Sequence, residues 1–303
     1  MEPFTTHDLE KWREQWNTEM SHLPKDLQQP FPDPSQFKTA THMRNIIELL
    51  EQHDIACCIV GIKALCYYGA GRLCETIEFC VPTQQLEAAN SIFSNGPASQ
   101  NYTPWRGFNP VAEARLRCSL YHTFPRYRLN SEDDGALFDF YLVPSVDWRF
   151  ECIPENFEYS AQCRLPYPKL QLFAQSLLER QNMSDIQDLV DGMDLTEEWG
   201  NEHLFGNETS PGAKDDYAHW VSNKNAQIRA ALPDAVKNDP LTTILGTSLY
   251  ELGDGPINFR ENFNHLARTR QERIGPEYPP GTFVTKFRAK GSPDPRTEIR
   301  FDV

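Results

Sequence analysis

Hydrophobic and polar positions change period several times along this 303-residue chain. Ile55–Val60 is an unbroken apolar run of strand length, and Gly61 ends it. Ile62–Tyr68 then reads as a short helix. Thr76–Val81 alternates, with Thr76, Glu78 and Cys80 on one face and Ile77, Phe79 and Val81 on the other, the period of a half-buried strand. Ala136–Val143 repeats the pattern, setting Phe138, Phe140 and Leu142 against Leu137, Asp139, Tyr141 and Val143. Around these strands the period lengthens. Ala40, Met43, Ile47 and Leu50 share one face of a helix over Gln36–Gln52. Leu86, Ala89 and Phe93 share a face of a second helix over Gln84–Phe93, for which Thr83 is the expected cap. The predicted class is α+β (α/β): a mixed sheet flanked by helices.

Outside this core the signals are plainer. Asp8–Ser21 reads as a short amphipathic helix carrying Trp12 and Trp16, and Gln29–Ser35 as a Pro-rich linker. Asn95–Pro110 is rich in turn formers, and Arg115–Leu129 is locally basic and strand-like up to Pro125. Pro168–Arg180 is predicted helical with Pro in its first turn, and Ser184–Met193 helical with Ser184 as N-cap. Glu197–Ala213 reads as irregular, Asp215–Ala231 as helical, and the region after Pro256 as an extended arm. The expected organisation is an N-terminal helix and linker (1–35), a core (36–160), a helical region (161–258) and a basic C-terminal arm (259–303).

Composition narrows the classes. No apolar run approaches the roughly 20 residues that span a bilayer, and the charged N-terminus lacks the apolar stretch of a signal peptide. A cytoplasmic location is expected, with no membrane partner. The eight cysteines show neither CxxC spacing nor matching His pairs, which argues against a zinc site and reads as small buried hydrophobes in a reducing compartment. A net charge of −14 opposes a generic nucleic-acid binder, and no DNA partner is expected. Charge is unevenly spread: Phe259–Val303 carries nine Lys or Arg against six acids, so the remainder stands near −17. That segment could face an RNA backbone or belt the acidic body.

Candidate chemistry lies in the apolar strands. Asp139 in so apolar a setting needs a charged or hydrogen-bonding partner or must stay protonated. Glu78 and Asp139 on neighbouring strands could share a cation; alternatively Asp139 pairs with an Arg such as Arg72 or Arg126 and holds the sheet. Lys63 opens the helix after Gly61, where a cation beside helix N-terminal amides suits an anion, although an exposed surface lysine reads equally well. Phosphate-binding glycine loops, dinucleotide fingerprints and His-Glu-x-x-His are missing from the sequence.

The order strand, Gly61, helix, then acid-bearing strand resembles the core of the nucleotidyltransferase fold. In that fold two acids spaced two apart, with a third on a later strand, hold Mg²⁺ against a triphosphate. Here those positions fall on Thr76, Glu78 and Asp139, with Glu75 one residue early, so Mg²⁺ remains possible but no cofactor is expected. Asp185 and Asp188 match a downstream acidic string of minimal members and read as solvated helix charges.

The run VGIKALCYYGAGR…FCVP, with YPKLQLFAQSLLE…DLVDGMDLTEEWG downstream, further resembles fungal nucleotidyltransferase-like proteins related to the arginine-containing cyclodipeptide synthases. The resemblance covers roughly Phe37 to Trp199. It implies an aminoacyl-tRNA-dependent enzyme of secondary metabolism that takes an arginyl group from its tRNA, joins it to a second amino acid and closes a diketopiperazine. The family's Asp-Asp-x-x-Glu motif falls on Cys74, Glu75, Thr76, Ile77 and Glu78, where Cys74 departs from it. Under this reading Glu75, Glu78 and Asp139 are the catalytic carboxylates, while Gly61, Lys63, Thr76 and Arg72 line the substrate. The rival readings are a divergent Mg-dependent transferase and a non-catalytic scaffold; the oligomeric state stays open.

Overall fold

Thr76–Val81 is a strand with the expected bounds, and it organises the sheet around it. The computed structural model describes residues 34–74, 76–105, 109–114, 120–130, 138–161, 163–206, 210–212, 216–273 and 294–297, with isolated positions 13, 14, 18 and 21. Strands β1 (Cys58–Val60), β2 (Thr76–Val81), β3 (Tyr102–Pro104), β4 (Arg126–Leu129) and β5 (Asp139–Pro144) form a sheet in the order β1-β2-β5-β4-β3. β2 and β5 run parallel; the other pairs are antiparallel. The mixed α+β architecture expected from the sequence is therefore present.

Register explains how charge is sorted. Thr76 aligns with Asp139, Glu78 with Tyr141 and with Val60, and Arg126 and Arg128 with Tyr141 and Asp139. Because side chains alternate, Thr76, Glu78, Asp139, Arg126 and Arg128 all leave one face. The opposite face is apolar: Phe79, Phe93, Phe140 and Tyr127 are buried there, with the Phe93 and Phe140 ring centres 5.2 Å apart. The helix Leu86–Ser94 brings Phe93 to this face. Ala40, Met43, Ile46, Ile47 and Leu50 form the buried stripe of the helix Pro34–Glu51, as its period predicts.

Several local expectations are corrected. Thr83 does not cap the helix after it; its hydroxyl accepts a hydrogen bond from the Val146 amide instead. The basic segment forms its strand after Pro125, not before, while Tyr121–Thr123 is a 3-10 turn and 115–119 lie outside the described residues. Asn95–Pro110 contains the edge strand β3. Pro168 ends a short strand paired with Phe157–Tyr159, so the next helix begins at Leu170. Asn182 rather than Ser184 caps Met183–Met193, accepting from the Asp185 amide. Glu197–His203 is a helix capped by Thr196, where irregular chain was expected.

Beyond Pro256 the expected extended arm gives way to helices Phe259–Arg268 and Arg270–Arg273; 274–293 and 298–303 lie outside the described residues. Its arginines serve the acidic body: Arg268 pairs with Glu197 and Glu261, Arg270 with Asp194, and Arg273 with buried Asp191. Most of the expected helix Asp8–Ser21 and linker Gln29–Ser35 also lies outside the described residues. Among the described residues no helix is long and apolar enough to cross a membrane.

Candidate functional site

Gly61 turns the chain from β1 into the helix Gly61–Tyr67 with φ of +67°. A left-handed backbone favours glycine, but a second constraint is tighter. A Cβ built on Gly61 would lie 2.1 Å from Glu78 Oε1. The bare Cα is thus the floor on which the half-buried Glu78 carboxylate rests.

Above that floor the carboxylate meets Tyr121, whose hydroxyl donates to Glu78 Oε2 at 2.5 Å. Arg180 donates to the same hydroxyl at 3.3 Å and to Asp147 Oδ2 at 3.2 Å, with its guanidinium 3.7 Å from the Trp148 ring centre. Lys224, reaching in from the helix Asp216–Ala231, closes the chain on Asp147 Oδ1 at 2.8 Å. Tyr141, the register partner of Glu78, packs at a tilt against Tyr121 with ring centres 5.5 Å apart and donates to Glu113, which also holds Arg126 at 2.6 Å.

Electrostatics follow from this packing. Burial pushes the Glu78 carboxyl up to about 7; the Tyr121 hydroxyl and Arg180 offset part of the rise, and Asp185 and Asp147 add to it. Burial also raises the Tyr121 hydroxyl well above its ordinary value, assisted by the Glu78 carboxylate. Asp147 is the converse: burial would raise it, but Lys224 and Arg180 outweigh that and hold it below the usual range. The site therefore pairs one carboxyl that exchanges its proton near neutrality with one that stays ionised.

The expected site residues divide. Gly61 lies against Glu78, and Thr76 pairs in register with Asp139 on the adjacent strand, all three strand residues on the same face. With ~3.3 Å per residue and ~4.8 Å between strands, Glu78 and Asp139 have Cα atoms roughly 8 Å apart. Asp139, however, is closed by Arg128 in a bidentate pair of 2.6 and 2.7 Å, so its partner is neither Arg72 nor Arg126. Arg72 turns instead to Asp188 at 2.7 Å and Asp185 at 3.2 Å. Those two acids are therefore ion-pair partners, and Asp188 is buried rather than solvated. Lys63 is buried too, at 2% exposure, which rules out the surface-lysine reading. Glu75 lies outside the described residues.

Among the described residues the donor set does not fit Mg²⁺. Thr76 is neutral, Arg128 occupies both oxygens of Asp139, and Tyr121 occupies an oxygen of Glu78, whereas a hard dication needs several free anionic oxygens. Tyr121, Arg180 and Asp147 were not anticipated. They are 43 or more residues from Glu78, and only the fold brings them together.

No family model matches this chain, and no curated protein does. Among solved structures it is similar to the JHP933 protein of Helicobacter pylori, at 13% identity and a TM-score of 0.32, covering 80% of this chain and 95% of that one. A second H. pylori structure, described as a candidate nucleotidyltransferase, is similar at 13% identity and a TM-score of 0.32, covering 80% and 97%. Likeness this distant does not identify an activity.

Proposed function

We propose that this protein is an aminoacyl-tRNA-dependent cyclodipeptide synthase that uses arginyl-tRNA and employs Glu78 as general base. The observation supporting it is the Glu78 carboxylate seated on Gly61 under Tyr121, beside an Asp139 already closed by Arg128. Nucleotidyl transfer needs clustered carboxylates free for metal. Acyl transfer from an ester needs none, because the ester already holds the free energy of the amide to be formed.

In this reading the α-ammonium of one aminoacyl group loses a proton to Glu78 and its amine attacks the ester carbonyl of the other. The terminal hydroxyl of the tRNA leaves and takes up a proton. A second attack within the resulting dipeptidyl ester closes the diketopiperazine and releases the second tRNA. A carboxyl near 7 matches an α-ammonium, whose ordinary value is about 8. The Tyr121 hydroxyl orients the accepting oxygen. The guanidinium of the arginyl group would be drawn by the acidic body and by Glu75 of the resembled motif.

Purified protein given arginyl-tRNA and a pool of aminoacyl-tRNAs should release an arginine-containing cyclic dipeptide detectable by mass spectrometry. The divergent transferase is the second reading, favoured by the Thr76, Glu78 and Asp139 alignment. Tight binding of Mg·ATP in calorimetry, with no cyclic dipeptide formed, would replace the synthase by that transferase.

A further inference from the structure

Cys58 and Cys80 face each other in register across β1 and β2. Cys152 approaches from the segment following the turn at Arg149 and donates its S–H to the Cys80 carbonyl at 3.2 Å. The three sulfurs lie within 4.8 Å of one another, and all three side chains are buried. Individually such thiols are packing groups; three converging from two strands and a third segment form a preorganised trithiol. Burial is the largest influence on the Cys58 and Cys80 thiols and raises both, with the neighbouring cysteines next, while Cys152 is lowered chiefly by its hydrogen bonds with Cys58 and Cys80.

From this convergence we infer that Cys58, Cys80 and Cys152 form a capture site for a trivalent thiophilic metalloid, of which arsenite is the simplest form. Charge selects the ligand. Three thiolates around a monovalent copper ion would carry −2, and around zinc −1, each an expensive net charge in an apolar core. Three thiolates on trivalent arsenic are neutral. The exchange balances without a redox step: three As–O bonds of arsenous acid break, three As–S bonds form, and the thiol protons leave with the hydroxides as three waters. Trivalent arsenic carries a lone pair and is pyramidal, so bonds of about 2.3 Å, the usual metal–thiolate length, ask for sulfur separations of roughly 3.4 Å, and small side-chain rotations must bring the three thiols to it. Entry is through the Cys152 segment, whose neighbours Glu151 and Ile153 are exposed.

Native mass spectrometry of the reduced full-length chain with arsenite tests this. The expected result is one adduct per chain, heavier by one arsenic less three hydrogens, with a melting temperature that climbs with arsenite concentration. Cys152→Ser and Cys58→Ala should each lose that adduct, while Cys66→Ala keeps it. An adduct retaining a hydroxyl, an unaltered adduct in Cys152→Ser, or no adduct on the folded wild type would overturn the site. Zinc binding in place of arsenite would overturn the neutrality argument. Because the wild-type adduct is read directly, a variant that fails to fold does not protect the proposal.

Discussion

Glu78 is held where its charge is costly, and the sign of that cost can be worked out. Its folded-state value of about 7 lies above the ordinary 4.5, so the folded state binds this proton more tightly than the unfolded chain. The associated stability is fully present below pH 4.5 and is lost as pH rises through about 7. Glu78→Gln keeps the shape and can still accept from Tyr121. It is expected to raise stability at pH 8 by on the order of 2 kcal/mol, read as a higher melting temperature, and to change little at pH 4. With Glu78 as the proposed base, cyclic-dipeptide formation should rise with pH through about 7 in the wild type and collapse in the variant. A variant that is destabilised at pH 8, or that keeps full activity, removes Glu78 from the role of base. Gly61→Ala tests the floor beneath it. The left-handed backbone costs about 1–2 kcal/mol with a side chain, and the new Cβ must push the carboxylate aside. Thermal melting and product yield should therefore both fall, and unchanged yield would show that the carboxylate needs no such seat.

The strands show which parts of this arrangement can be read from sequence. β2 was legible to its last residue because its alternation is strict, and the face bearing Glu78 and Asp139 followed from that same period. β3 was not, since a three-residue edge strand ending in Pro104 carries too short a pattern. The helix Glu197–His203 was missed although its Thr196 cap stands in the sequence, because seven residues hold less than two apolar repeats. What no periodicity conveys is register. Arg128 rather than Arg126 meets Asp139 because β4 and β5 align those two residues, and a one-residue slip would have sent Arg128 to the opposite face. The same dependence makes the pair testable as an element-level contact. Arg128→Met is expected to cost about 1–3 kcal/mol in urea denaturation by leaving Asp139 without its bidentate partner, and Asp139→Leu in the same chain should recover most of it. Should that double variant be stable yet lack all product formation, Asp139 would regain a direct part in the chemistry.

At the scale of the whole molecule, the proposed tRNA substrate is a polyanion, and under that proposal the protein approaches it with a net charge of −14. The basic C-terminal segment reads either as a phosphate-facing surface or as a belt on the acidic body, and much of it is committed within the fold. Arg268, Arg270, Arg273 and Arg296 are ion-paired with acids, and Arg260 donates to the Phe205 carbonyl. Releasing buried partners such as Asp191 to bind phosphate would forfeit interactions that hold the last helices to the body. The other four of the nine basic residues, Lys286, Arg288, Lys290 and Arg300, lie outside the described residues. If only these four meet RNA, the segment contributes a slope no steeper than about −4 in log affinity against log salt, whereas nine contacts would give about −8. The measurement is tRNA binding across a salt series for the wild type and for a chain with those four residues changed to Gln. The difference between the two slopes should account for nearly all of the segment's contribution. A steeper residual slope, removed only by Arg268→Gln or Arg273→Gln, would mean that the paired arginines leave their acids on binding and that the C-terminal helices reorganise around the RNA.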